Sequence, residues 1–81
     1  MIFVFEFMND DFDYAIFNAL YNPDLNEFNE MFSDALSMSE EYCGASQRVC
    51  VTVFENKEKT YEEMFFDANK ATEWFLERGF A

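Results

Sequence analysis

The stretch Asp24 to Tyr42, DLNEFNEMFSDALSMSEEY, decides the fold that this sequence favours. Wound at about 100° per residue, it separates into an apolar side and an acidic side. The apolar side consists of Leu25, Phe28, Phe32, Ala35 and Leu36. The acidic side consists of Glu27, Glu30, Asp34 and Glu41, with Asp24 at its margin. The pattern predicts an amphipathic helix over about Asp24 to Glu41 that covers a small core and exposes carboxylates.

Acidic residues outnumber basic residues, and the excess lies mainly in the first half of the chain. The 81 residues include 17 acids, 5 bases and no His, which gives a net charge of -12. Residues 1–47 hold ten of the acids and no base, a charge of -10, so the remaining residues carry -2. This asymmetry predicts a directed negative field that favours solubility and repels nucleic acid and anionic membranes.

Length and composition indicate a single compact domain that spans residues 1–81. A chain of this size buries only about 60% of its unfolded surface, but 12 Phe, 4 Tyr and 1 Trp supply large side chains for a core. Cys43 and Cys50 are too few for a disulfide framework, so we expect two reduced thiols. The sequence shows no signal peptide and no apolar run of about 20 residues. We therefore expect a cytoplasmic protein.

The first part of the chain predicts one strand followed by two helices. Ile2 to Met8 has apolar residues on both sides, which is typical of a central or well-covered strand. Asn9, Asp10 and Asp11 are suited to cap a helix, and we expect that helix to run from about Phe12 to Tyr21. Its inner side would be formed by Phe12, Ile16, Ala19 and Leu20. Asn22-Pro23 would then end it and begin the helix at Asp24.

The second part of the chain predicts two strands and a last helix. Gln47 to Phe54 and Thr60 to Phe66 alternate as strands around a polar turn. Asp67 is expected to cap a helix from Ala68 to Arg78, which ends at Gly79. The order β-α-α-β-β-α therefore predicts an α+β fold with a three-stranded, mainly antiparallel sheet packed with helices.

No established catalytic or metal-binding signature is present in the sequence. The lack of His excludes His-based triads, and two cysteines cannot complete a zinc site. Asn9, Asp11 and Asp13 resemble the start of a calcium loop, but Tyr14 replaces the turn glycine and Leu20 replaces the bidentate Glu. We therefore predict a protein that is not an enzyme and that binds no cofactor or metal.

The abundant carboxylates leave two enzymatic alternatives open. Pro23-Asp24 together with Glu55-Asn56-Lys57 matches the letters of a metal-dependent nuclease pattern, although a helix start and a turn explain the same residues. A carboxylate acid/base pair is the other alternative, and no pair of acids is distinguished by its spacing. Direct nucleic-acid binding is excluded by the five basic residues, which are few and mixed with acids.

The charge density along the acidic helix approaches that of a nucleic-acid strand. Residues 24 to 41 span about 25 Å at about 1.5 Å per residue, and the interval holds six acids. That is roughly one charge per 4–5 Å, against about one per 3.4 Å along a single DNA strand. Such a face could bind a protein whose Lys and Arg side chains normally contact phosphates. Asp10, Asp11 and Asp13 could extend it as outer contacts if the two predicted helices lie side by side.

Aromatic side chains beside the acids would add affinity to such a contact. Tyr14 and Tyr21 are predicted to lie on the outer side of the first helix, with Phe17 at its flank. Tyrosines are frequent at interface hot spots, whereas charge alone gives rate more than affinity. The partner-binding residues predicted from the sequence are Glu27, Glu30, Asp34, Glu41, Asp10, Asp11, Asp13, Tyr14 and Tyr21.

In size, acidity and aromatic content, the whole chain resembles small phage-encoded inhibitors of host defence or host machinery. Anti-CRISPR proteins, anti-restriction proteins and uracil-glycosylase inhibitors belong to this class. The resemblance implies a protein of the host-cell cytoplasm that inhibits stoichiometrically by blocking a basic nucleic-acid-binding site of a host protein. The acidic face would either imitate DNA or RNA or simply cover the basic patch. The alternative prediction is an interaction module, such as an antitoxin-like partner or a homodimeric subunit that buries Tyr14, Phe17 and Tyr21.

Overall fold

A computed structural model of the chain describes residues 1–80, which form an α+β domain. In chain order the elements are β1 (Ile2–Met8), β2 (Tyr14–Tyr21), α1 (Leu25–Cys43), β3 (Val49–Glu55), β4 (Glu58–Phe65) and α2 (Ala68–Glu77). A short 3-10 turn, Gly44–Ser46, joins α1 to β3. The α+β prediction is confirmed, whereas the order is β-β-α-β-β-α rather than the predicted β-α-α-β-β-α.

The strands form one antiparallel sheet of four strands in the order β2-β1-β3-β4. β1 lies in the interior of the sheet between β2 and β3, as its apolar residues on both sides predicted. β3 and β4 are joined by the two-residue turn Asn56-Lys57, in which both residues have positive φ values of 50° and 70°. That conformation suits the twist of a tight hairpin. The predicted count of three strands is wrong because the segment before α1 adds a fourth.

The helix predicted over Phe12 to Tyr21 is instead strand β2, paired with β1. Asn9 organises the turn between them, because its Oδ1 accepts hydrogen bonds from the N–H groups of Asp11 and Asp13 at 3.0 and 3.2 Å. Asn9, Asp10 and Asp11 therefore form a hairpin turn and not a helix cap. Phe12, predicted to face inward, has a positive φ of 61° in this turn and is exposed.

Both helices pack on the same side of the sheet and leave its other side uncovered. Phe3 and Phe5 of β1 point toward the helices, where Phe3 meets Phe28 of α1 and Phe75 of α2 at ring-centroid distances of 6.0 and 5.8 Å. The members of this core that are buried are Phe3, Phe5, Phe28, Phe32, Ala35, Val49, Val51, Val53, Phe65, Ala71, Trp74 and Phe75. The fold is thus two layers, one of helices and one of sheet.

Local signals in α1 explain why the opening stretch is helical. Asp24 is the N-cap, and it forms a capping box with Glu27. The Asp24 carboxylate accepts from Glu27 N–H at 2.8 Å, and the Glu27 carboxylate accepts from Asp24 N–H at 3.0 Å. The buried stripe is Phe28, Phe32, Ala35 and Ser39. The predicted helix is confirmed in its bounds within two residues, and its buried side includes the predicted Phe28, Phe32 and Ala35.

Candidate functional site

The candidate site starts from the acidic face of α1, defined as Glu27, Glu30, Asp34 and Glu41. All four side chains are exposed. Within residues 1–80 the two ion pairs are Lys59–Glu62, at 3.3 Å, and Lys70–Glu73, at 3.8 Å, so neither involves α1. The acidic face therefore presents carboxylates that no Lys or Arg of the described chain neutralises at close range.

Three of these acids border a shallow groove between α1 and β2. Glu27, Glu30 and Asp34 line it together with Leu20 of β2 and Met31 of α1. Leu20 and Met31 are half-buried and pack against the core. The groove thus combines carboxylates with an apolar floor, an arrangement that suits the ammonium or guanidinium group and the aliphatic stem of a Lys or Arg side chain.

Glu27 has a structural task in addition to its place on the acidic face. Its carboxylate is held by the capping box at the first turn of α1, where a negative charge also favours the helix dipole. Glu30, Asp34 and Glu41 make no side-chain hydrogen bond within the described residues. These three acids are therefore the ones whose placement the fold itself does not require.

Asp10, Asp11 and Asp13 lie in the β1–β2 turn, all exposed. The end of β1 that leads into this turn is attached to the last turns of α1, since Ser39 Oγ donates to the Met8 carbonyl at 2.7 Å. The three aspartates therefore lie at the same end of the molecule as Glu41. They can extend the acidic face lengthwise, although not from a neighbouring helix as the sequence suggested.

Tyr14 and Tyr21 do not lie beside the acidic face. They pair with Met8 and Ile2 of β1, whose side chains are on the side of the sheet away from the helices. Partial burial raises the pKa of the Tyr14 phenol, and Cys50 adds to the shift. The prediction of aromatic anchors next to the acids is wrong in its geometry because it required a helix over Phe12 to Tyr21.

Sequence reasoning missed an uncovered apolar surface, which we name the open face. It is the side of the sheet opposite the helices and bears Ile2, Tyr14, Ile16, Tyr21 and Met64, all exposed. Ile16 and Tyr21 have 73% and 74% of their surface accessible. The signal available in the sequence was apolar residues on both sides of β1, which indicates a strand with more than one covered surface.

The open face has few charges, and those charges are of both signs. A shallow groove on it is lined by Val4, Ile16 and Phe54 with Glu6, Lys59 and Glu62 around them. Burial raises the pKa of the Cys50 thiol on this face, and the carboxylates of Glu6 and Glu62 add to the shift. A neutral, unreactive thiol at neutral pH follows from that environment.

The side chains of this chain that could bind a metal ion are its carboxylates and two thiols. Residues 1–80 contain no group of three His, Cys, Asp or Glu side chains placed to hold a metal ion. Cys43 and Cys50 are free thiols, the first half-buried and the second buried. No helix among the described residues is long and apolar enough to cross a membrane.

Comparison with known proteins identifies no relative of this chain. No protein-family model, curated protein or solved structure matches the chain. The two surfaces that distinguish the molecule are the acidic face and the open face.

Proposed function

We propose that this protein is a non-enzymatic inhibitor that covers a basic, nucleic-acid-binding surface of another protein with its acidic face. The observation that carries the proposal is the set of exposed carboxylates on α1 that no cation of residues 1–80 pairs. Mixed-sign pairs at helical spacing would stabilise α1 by about 0.2–0.5 kcal/mol each. The chain forgoes this stabilisation at Glu27, Glu30 and Asp34, which is consistent with selection for binding.

The chemistry of the partner follows from the groove beside α1. Lys and Arg side chains that normally contact phosphates could place their charged groups against Glu30 and Asp34 and their stems over Leu20 and Met31. Electrostatic attraction would accelerate the encounter and make it sensitive to salt. Anti-CRISPR and anti-restriction proteins illustrate this mode of action, in which occupation of the site excludes the nucleic acid.

Asp10, Asp11 and Asp13 lie in the β1–β2 turn and not on a helix beside α1. They therefore extend the acidic face along its length and do not widen it. The aspartates of the β1–β2 turn continue the acidic face past Glu41, toward the end of the sheet. A partner surface that follows a phosphate backbone is also elongated, so a lengthwise array of carboxylates suits it better than a compact patch.

The test is capture of partner proteins from a bacterial lysate on the immobilised chain, with quantitative mass spectrometry. Capture is compared at about 0.1 M and about 1 M KCl, where the Debye length falls from about 10 Å to about 3 Å. A double variant with Glu30→Lys and Asp34→Lys reverses the acidic face but leaves the capping box of Glu27 intact. We expect a captured nucleic-acid-binding protein to be lost at high salt and to bind the variant at least tenfold more weakly.

A control with the same change in charge isolates the effect of position. Glu63→Lys with Glu77→Lys alters two exposed acids on β4 and α2, outside the acidic face. The captured protein should bind this control like the unmodified chain, and the unmodified chain should displace labelled DNA or RNA from it. Equal loss of binding in both double variants, or capture unaffected by either, would refute the proposal.

A further inference from the structure

The open face requires an explanation that the acidic face does not provide. Five exposed apolar side chains lie on one side of a four-stranded sheet, and the helices cover only the other side. Clusters of exposed apolar side chains of this kind mark interaction surfaces in proteins that are otherwise well packed. The open face lies on the side of the sheet opposite α1, so a partner can occupy it while the acidic face remains free.

We propose that the open face is the interface of a homodimer, in which the sheets of two copies pack face to face. The charges support a second copy as the occupant. Glu6 and Glu62 are balanced on this face by Lys59, with Lys57 at its border. A protein with a net charge of -12 would repel itself at most of its surfaces, and the open face is a surface where the charges nearly cancel.

Distance also keeps the acidic faces of the two copies from opposing this contact. Packed sheets lie about 10 Å apart, and each α1 is on the outer side of its own sheet. The two α1 helices would therefore be separated by about 30 Å, if each lies roughly 10 Å behind its sheet. The Debye length at physiological ionic strength is about 8 Å, so repulsion between them is largely screened.

The size of the open face suits a dimer of modest stability. Four strands at about 4.8 Å and about eight residues at about 3.4 Å give a flat area of roughly 500 Å². Two copies would together bury about 1,000 Å² or more, because side chains roughen the surface. This value is close to the lower limit for specific interfaces, so the dimer should form and dissociate with concentration.

The edge of β2 is less suited to self-association than the open face. A bulge interrupts the β1–β2 register, and Asn18 Oδ1 accepts a hydrogen bond from Ala19 N–H at 2.8 Å. Bulges and occupied backbone groups protect edge strands from pairing with other chains. Pairing through this edge would also bring the groove lined by Glu27, Glu30 and Asp34 in each copy toward the other, with strong repulsion.

One symmetric arrangement of the two copies brings apolar side chains together and opposite charges together. A two-fold axis parallel to the strands would place β2 of one copy over β4 of the second. Ile16 would then face Met64, and the acidic turn of Asp11 would lie at the end of the sheet that carries Arg48. Sheets packed in this aligned manner cross at about -30°.

Sedimentation equilibrium over a range of protein concentrations tests the dimer. We expect the mass to rise from that of the 9.7 kDa chain toward twice that value. Ile16→Glu should raise the dimer dissociation constant at least tenfold, because it buries an unpaired charge in the interface. Leu76→Glu is the matched control, since it adds the same charge at an exposed leucine on α2, away from the open face.

A second variant separates loss of the interface from added negative charge or loss of folding. Tyr21→Lys carries the opposite charge at an equally exposed position and should also weaken the dimer, with an unchanged circular dichroism spectrum. A chain that stays monomeric up to about 1 mM would overturn the proposal and leave the open face to a different protein. So would a Leu76→Glu effect as large as that of Ile16→Glu. Neither outcome bears on capture by the acidic face.

Discussion

Ser39 joins α1 to the sheet through two hydrogen bonds. Its hydroxyl is fully buried, donates to the Met8 carbonyl at 2.7 Å and accepts from Arg48 N–H at 3.0 Å. Cys43 Sγ lies nearby and donates to the Ser39 carbonyl at 3.2 Å. One serine thus binds both the last residue of β1 and the residue before β3, two strands that no turn connects directly.

Ser39→Ala is expected to lower the free energy of unfolding by about 1–3 kcal/mol, because the buried Met8 carbonyl and the partly buried Arg48 N–H each lose a hydrogen-bond partner. Ser37→Ala is the matched control on the same helix, since Ser37 is exposed. Urea denaturation measures both, and the control should stay within about 0.5 kcal/mol of the unmodified chain. Equal effects of the two substitutions would show that Ser39 contributes through helix propensity and not through its contacts.

At the scale of elements, α1 could be predicted from sequence, whereas β2 could not. α1 carries an uninterrupted helical period over Leu25–Cys43 and its own N-cap at Asp24. In β2 the bulge after Ile16 shifts the alternation by one residue, so the open side passes from Tyr14 and Ile16 to Ala19 and Tyr21. A spacing of three between Ile16 and Ala19 is helical in appearance, and the pairing with β1 that overrides it is a tertiary effect.

The same error limited the prediction of the candidate site. The acids of α1 could be placed from their period alone, and they are exposed as expected. A helix over Phe12 to Tyr21 would place Tyr14 and Tyr21 beside these acids, whereas the strand pairing places both on the open face. The open face could not be recognised, because its members come from β1, β2 and β4 and meet only when the sheet forms.

Charge reversal within α1 should stabilise the helix even though it removes binding capacity. Asp34→Lys places a positive charge four residues after Glu30, an arrangement worth about 0.2–0.5 kcal/mol, and it also removes a repulsion of similar size. We expect the free energy of unfolding to rise by about 0.5–1 kcal/mol in urea denaturation.

Asp34→Gln is the comparison variant, because glutamine and lysine have similar helix propensities. Asp34→Gln should gain only the stability that comes from lost repulsion and improved helix propensity. Its free energy of unfolding should therefore lie between those of the unmodified chain and Asp34→Lys. A destabilised Asp34→Lys protein would mean that Asp34 makes a favourable contact and that the acids of α1 are not in mutual repulsion.

At the scale of the whole molecule, charge is unevenly distributed. Residues 24–41 carry six acids and no base, whereas the few charges on the open face nearly cancel. Half of the net charge of -12 thus comes from the carboxylates of one helix and its cap, which repel one another. Folding brings those carboxylates closer together than they are in the expanded chain. Screening of charge by salt should therefore favour the folded state.

The free energy of unfolding in urea is expected to rise between about 0.01 M and about 1 M KCl, where the Debye length falls from about 30 Å to about 3 Å. This rise should be smaller in the double variant with Glu30→Lys and Asp34→Lys. Each substitution adds two units of positive charge, so the net charge changes from -12 to -8. A salt response that is equal in the two proteins would contradict the assignment of the repulsion to the acidic face.

The position of β1 between β2 and β3 also determines the order in which the sheet is completed. β2 follows β1 after a five-residue turn, Asn9 to Asp13, so this hairpin closes a short loop at low cost in conformational entropy. β3 begins only at Val49, beyond the whole of α1. Its pairing with β1 requires closure of a much longer loop, and contacts so distant in sequence slow folding. We therefore expect the hairpin to form before the β1–β3 ladder, and the late closure of that ladder to limit the rate at which the domain folds.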